Sequence, residues 1–126
     1  MNLDEFTKSY IKCALSRQWL SRNDNSLKHI STDISDETIR EIIEDCQLFQ
    51  SENSKDISTN LSRAGHDFFL TRNDSGGFWD GDWDFEIGER LTKACLPYGE
   101  YTLCVNDDGK IYRDLNPTDT DYKGVR

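Results

Sequence analysis

Between Asn73 and Glu89 the chain places six carboxylates (Asp74, Asp80, Asp82, Asp84, Glu86 and Glu89) and not one Lys or Arg. Such a run repels itself. A fold containing it must bring a cation from elsewhere or leave the charge in water for a partner. Four aromatic rings, Phe78, Trp79, Trp83 and Phe85, are interleaved with these acids. Nucleic-acid readers alternate rings with Lys or Arg, so that bases stack while phosphates are neutralised. Here that arrangement is inverted. The wider composition points the same way: residues 65–126 carry 13 acids against 7 bases, and residues 1–64 carry 11 against 8. A net charge of −9 disfavours nucleic acid and anionic membrane as direct partners and favours a cationic protein surface.

Helical periodicity dominates the first half. Asn2 and Glu5 have capping-box spacing, and Leu3, Phe6, Tyr10, Cys13 and Ala14 recur at helical intervals, predicting a helix from residue 3 to about 21. Residues 21–32 read as a polar connector. Ser35 caps a second helix, with Ile34 and Ile39 as a hydrophobic staple and Ile39, Ile42, Ile43, Cys46 and Phe49 as its buried stripe. Residues 51–54 read as a break, and residues 55–62 as a short, weak helix.

From Asp67 to Arg72 the pattern changes. Phe68 and Leu70 alternate with Phe69 and Thr71, which predicts a strand. Asn73 to Gly77 consists of turn formers and predicts a hairpin, with Phe78 and Trp79 starting the return strand. Ile87, Leu91, Ala94 and Cys95 mark a further helix, stopped by Pro97 and Gly99. Tyr101, Leu103 and Val105, the turn Asn106 to Gly109, and residues 110–113 give a second hairpin. The expected fold is α+β, with N-terminal amphipathic helices on a small antiparallel sheet of two hairpins and one inserted helix. Residues 1–113 form one domain and residues 114–126 a polar tail.

The chemistry-bearing residues do not assemble a catalytic motif. Asp80, Asp82 and Asp84 start like a calcium loop, but Phe85 and Leu91 stand where the turn glycine and the bidentate Glu are required. Their expected place is ahead of the following helix, whose N-terminus favours negative charge. His66 and Asp67, neighbours on a strand, would point to opposite faces and form no dyad. Arg72 is a candidate to orient an anion. Cys13, Cys46, Cys95 and Cys104 lack metal-site spacing and read as reduced core residues. With neither an apolar span nor a signal-peptide pattern, a cytosolic protein without cofactor is expected.

Gly65-His66-Asp67-Phe68, Leu70-Thr71-Arg72-Asn73 and Gly77-Phe78-Trp79-Asp80, with Gly88, Leu91, Thr92, Gly99, Asp108 and Gly109, resemble a family of small acidic proteins encoded by bacteriophages and other mobile elements. The motif is of the form GHDFxLTRNxxGxGFWD. This chain departs from it at Asp74-Ser75-Gly76, where a Gly-His-Gly turn is expected, and in its more acidic DGDWDFE stretch. The resemblance implies a mobile-element origin but no reaction.

Together these features point to a non-catalytic binder of the anti-CRISPR or anti-restriction kind. It would act in the host cytoplasm on a host protein or complex with a basic surface, by mimicking nucleic acid. Asp74, Asp80, Asp82, Asp84, Glu86 and Glu89 would supply the field, Trp79 or Trp83 the anchor, and His66, Asp67, Arg72 and Asn73 the shared motif. The alternatives are a dimerising adaptor and a divalent-metal hydrolase built on the aspartates.

Overall fold

The computed structural model describes residues 3–16 and 33–115. Asn2 of the expected capping box, the helix extension towards residue 21, the connector to residue 32 and the tail beyond residue 115 lie outside the described residues. Helix α1 spans Glu5–Ala14. Asp4 is its cap, accepting a hydrogen bond from the Thr7 amide at 2.8 Å. Helix α2 spans Asp36–Ile57, and Ser35 caps it as expected through the Thr38 amide. The expected break at residues 51–54 is a kink instead. Asn53 leaves helical geometry (φ −128°, ψ 21°) while its side chain bonds the Phe49 carbonyl at 2.9 Å, so the helix bends and continues.

The segment read as a strand is helix α3, Leu61–Arg72, capped by Asn60. The first of the two expected hairpins therefore does not form, and Phe78 and Trp79 lie in a loop. The reason is that α3 is enclosed on most of its circumference. Ala64, Gly65, Asp67, Phe68, Phe69 and Arg72 are all buried, so adjacent Phe residues both face protein, and strand-like alternation disappears into near-complete burial. Helix α4 spans Phe85–Cys95 and runs into a 3-10 turn at Leu96–Tyr98, closed by Gly99 at φ 70°. Strands β1 (Leu103–Val105) and β2 (Ile111–Arg113) form the other hairpin, antiparallel with Val105 opposite Ile111. The α+β class thus holds, with four α-helices and one two-stranded sheet among the described residues. A bridge from Ile34 to Ile111, with the Ser35 amide donating to the Ile111 carbonyl at 2.9 Å, ties that sheet to the start of α2.

The core is largely aromatic. Phe49 stacks on Phe68 at 4.3 Å, Tyr10 meets Phe69 edge-on at 5.3 Å, and Phe6, Phe78 and Tyr98 complete the cluster. Helix α1 crosses α3 at backbone distance, because Gly65 has no side chain to hold them apart: a Cβ there would overlap the Phe6 carbonyl. Cys13, Cys46 and Cys95 are buried free thiols, and Cys104 is half-buried. Burial pushes Cys13 up to about 11 and Cys95 up to about 12, with Cys46 displaced further in the same direction.

Two outcomes are expected. Gly65→Ala should destabilise the protein by about 2–3 kcal/mol, as overpacking at a site where only backbone could move, measured by urea denaturation. Thiol labelling of the native protein should be fast at Cys104 alone, with the other three cysteines reacting only on unfolding.

Candidate functional site

Residues four apart on α3 (Arg63, Asp67 and Thr71) form a polar stripe, and the acidic loop runs back along it. At the C-terminal end, the Thr71 hydroxyl donates to the Gly76 carbonyl at 2.8 Å and accepts from the Phe78 amide at 3.0 Å. Gly77 sits so close to Thr71 and the Asp67 carbonyl that no side chain fits, and its φ is +77°. Midway, the fully buried Asp67 accepts from the Trp83 indole N–H at 2.7 Å. At the N-terminal end Arg63 grips Asp82 and lies 3.3 Å from the same Asp67 oxygen. The cation that the acidic run lacks is therefore supplied by the preceding helix.

The acids are not equivalent. Asp80 accepts from the Gly77 amide at 3.1 Å and closes the loop's tight turn. Asp82 pairs with Arg63, and Asp84 caps α4 through the Glu86 amide at 3.3 Å. Asp80, Asp82 and Asp84 all stand ahead of α4, as expected, and Asp84 is its cap. Glu86 is exposed in the first turn of α4, and Glu89 is half-buried one turn on. Asp74, in left-handed geometry at φ 61°, follows the opposite end of α3, about 16 Å from the Arg63 level along the axis at 1.5 Å per residue. Asp74 thus stands apart from the Asp82–Asp84–Glu86 group. Among the described residues no three His, Cys, Asp or Glu side chains gather closely enough to hold a metal ion; Asp80, Asp82 and Asp84 each meet a different partner.

The two tryptophans differ. Trp83 is half-buried, edge-on to Phe78 at 5.4 Å, and its N–H is used by Asp67. Trp79 is 56% exposed and Phe85 72% exposed. Of the two expected anchor candidates only Trp79 has its ring exposed, and Phe85 is a second exposed ring that sequence reasoning missed. Its position directly after the cap residue Asp84, facing outward while Gly88 and Leu91 turn inward, was the available signal. A cleft of about 520 Å³ opens beside this loop, lined by Asp56, Asp82, Asp84, Arg63, Trp83 and Ile87. Arg90 hydrogen bonds hold the Asp56 carboxyl below its usual range.

Of the motif residues, Asp67, Arg72 and Asn73 tie elements together, while His66 is partly exposed. His66 does contact Asp67, Nδ1 to Oδ1 at 3.0 Å, because neighbours on a helix are 100° apart and not on opposite faces; the strand-based exclusion of that pair was wrong. His66 also lies mid-helix, not at the entry to a strand. Arg72 is buried and fully engaged within the protein, so it cannot orient a ligand. Asn73 bridges α3 to the chain entering β1, accepting from the Tyr101 amide at 2.8 Å.

Comparison with protein-family models, curated proteins and solved structures yields no match. No described helix is long and apolar enough to cross a membrane.

Trp83→Phe keeps the ring contact with Phe78 and removes only the donor to Asp67. It should cost about 1.5–3 kcal/mol, the range for hydrogen bonds to charged groups, in denaturant unfolding. Trp79→Ala should stay within about 0.5 kcal/mol of the parent, as surface changes do. Equal losses would mean that Trp79, too, is part of the packing.

Proposed function

We propose that this chain is a non-catalytic acidic binding protein that docks on a basic protein surface through the loop and helix start from Trp79 to Glu86. The observation that carries the reading is the pairing of exposed rings with exposed carboxylates on one braced segment. Trp79 and Phe85 project into solvent beside Asp80, Asp84 and Glu86, while Trp83, Asp82 and Gly77 pin the segment to α3. Long-range attraction from the acids would steer encounter, and a few desolvated rings would hold the complex. The bracing matters because a segment fixed beforehand loses little conformational freedom on binding. The acid-lined cleft between α2, α3 and the start of α4 suits a Lys or Arg side chain of the partner.

In the cytoplasm of a bacterial host, such a surface fits a groove that otherwise holds nucleic acid. The resemblance to phage and mobile-element proteins favours an anti-defence role of the anti-CRISPR or anti-restriction kind. Mimicry of nucleic acid would come from Asp80, Asp84 and Glu86, with Asp74 outside the contact.

The test is capture of partners from a bacterial lysate at low and moderate salt, followed by competition between this chain and nucleic acid for the purified partner. Displacement of nucleic acid is expected. A partner that holds both at once would refute mimicry. The triple variant D80N/D84N/E86Q should weaken capture by roughly three- to a hundredfold at low salt and flatten its salt dependence, given about 0.2–1 kcal/mol per exposed charge pair. Unchanged salt dependence would eliminate the electrostatic mechanism. Trp79→Ala should cost about 2 kcal/mol or more of binding, as a central ring does.

A further inference from the structure

On the other side of Arg63 from the acidic cleft lies a second concavity of opposite character. It is an open groove of about 840 Å³ along the seam between α1 and α3, lined among others by Lys8, Ser9 and Lys12 from α1 and by Ser62, Arg63 and His66 from α3. None of its described lining residues is a carboxylate. In a chain of net charge −9 this is a local reversal of sign. Lys8 and Lys12 stand one turn apart on the same helix face and are both exposed, an arrangement that destabilises an isolated helix through like-charge repulsion. An anion between them relieves it.

Arg63 contributes little free charge, because Asp67 and Asp82 already engage it. His66 is differently placed. Its Nδ1 faces the buried Asp67 at 3.0 Å, which fixes the ring and leaves Nε2 as the nitrogen free to meet a ligand. In a neutral ring whose Nδ1–H is directed at that carboxylate, Nε2 is an acceptor, which can take the O–H of a protonated phosphate. Two ammonium groups, the hydroxyls of Ser9, Ser16 and Ser62 and an oriented imidazole beside a groove of small-molecule size match a tetrahedral oxyanion that forms several hydrogen bonds.

We propose that this groove binds a phosphate group, either as free phosphate or carried on a small phosphomonoester, with Lys8, Lys12 and His66 as its principal contacts. The site is separate from the acidic surface of the binding reading and does not depend on it.

The test titrates the full chain with inorganic phosphate, and separately with adenosine 5′-monophosphate, at constant ionic strength. Backbone and histidine resonances are followed by NMR, with sodium chloride as the reference. Saturable shifts confined to residues 8–12 and 62–66, absent with chloride, are expected. The variants Lys8→Gln/Lys12→Gln and His66→Gln should each keep the native spectrum, and the double lysine variant should bind roughly tenfold more weakly or worse for loss of two nearby charges. Tighter binding of the nucleotide than of phosphate assigns the groove to a phosphomonoester, and equal affinities assign it to the free ion. Shifts matching those from chloride, or undiminished binding by the double lysine variant, would overturn the proposal.

Discussion

A guanidinium with 1% of its side chain exposed holds the two halves of this fold together. Arg72, at the end of α3, donates to Tyr10 on α1 at 3.0 Å and to the carbonyls of Tyr98 and Gly99 at 3.1 and 2.9 Å, and it pairs with Asp45 on α2 at 3.0 Å. The rings of Phe68, Tyr98 and Tyr101 lie within 6 Å of it. Burial works against its charge, yet the Tyr10 oxygen and the Asp45 carboxylate more than offset this, and the guanidinium is held above its ordinary range. A charge removed from water is tolerated only when its donors are met, and removing any one partner leaves the rest uncompensated. Helices α1 and α2, the end of α3 and the 3-10 turn are thus fixed relative to one another by a requirement more directional than apolar packing. Phe49, Phe68 and Tyr98 pack around that fixed point.

The acidic loop is organised by a second buried charge on the same helix. Asp67 is fully enclosed, and its carboxyl collects Trp83, Arg63 and His66 as partners. Two charged residues five positions apart on α3 therefore divide the work: Arg72 fastens the C-terminal half, and Asp67 fastens the loop. The self-repulsion of the loop is resolved locally. One aspartate meets Arg63, one closes a turn, one caps a helix whose N-terminus welcomes negative charge, and Asp74 is carried away to the far end of α3.

What the sequence made legible were the elements whose burial is one-sided. Helix α2 was readable from Ser35 and the Ile39–Ile42–Cys46–Phe49 stripe because its other face is wet. The β1–β2 hairpin was readable from Leu103, Val105 and the Asn106–Gly109 turn for the same reason. Helix α3 was not, since Phe68 and Phe69 are both buried and Gly65 counts against a helix by propensity. Yet its sequence holds a four-residue rhythm, Arg63–Asp67–Thr71 beside Ala64–Phe68–Arg72, that only a helix uses. The polar members of that rhythm receive the loop, and they could be recognised as one stripe only after the period was set correctly. The separation of Trp79 from Trp83 lay beyond pattern altogether, because it depends on which indole reaches Asp67.

Arg63 occupies the ridge between two clefts of opposite sign, and this explains why a small acidic chain can present both. Its guanidinium faces Asp82 across the acidic side, while Lys8, Lys12 and His66 lie along the other. Without a cation on that ridge, Asp82 would stand unpaired against Asp84 and Asp56, and the loop would have reason to splay outward. With it, the negative charge stays on the face that carries Trp79 and Phe85, and the α1–α3 seam remains positive. Segregation of this kind requires a rigid boundary, because flexible side chains of opposite sign a few ångströms apart would collapse onto one another. The boundary here is α3 itself, held at one end by Arg72 and crossed at backbone distance by α1 at Gly65.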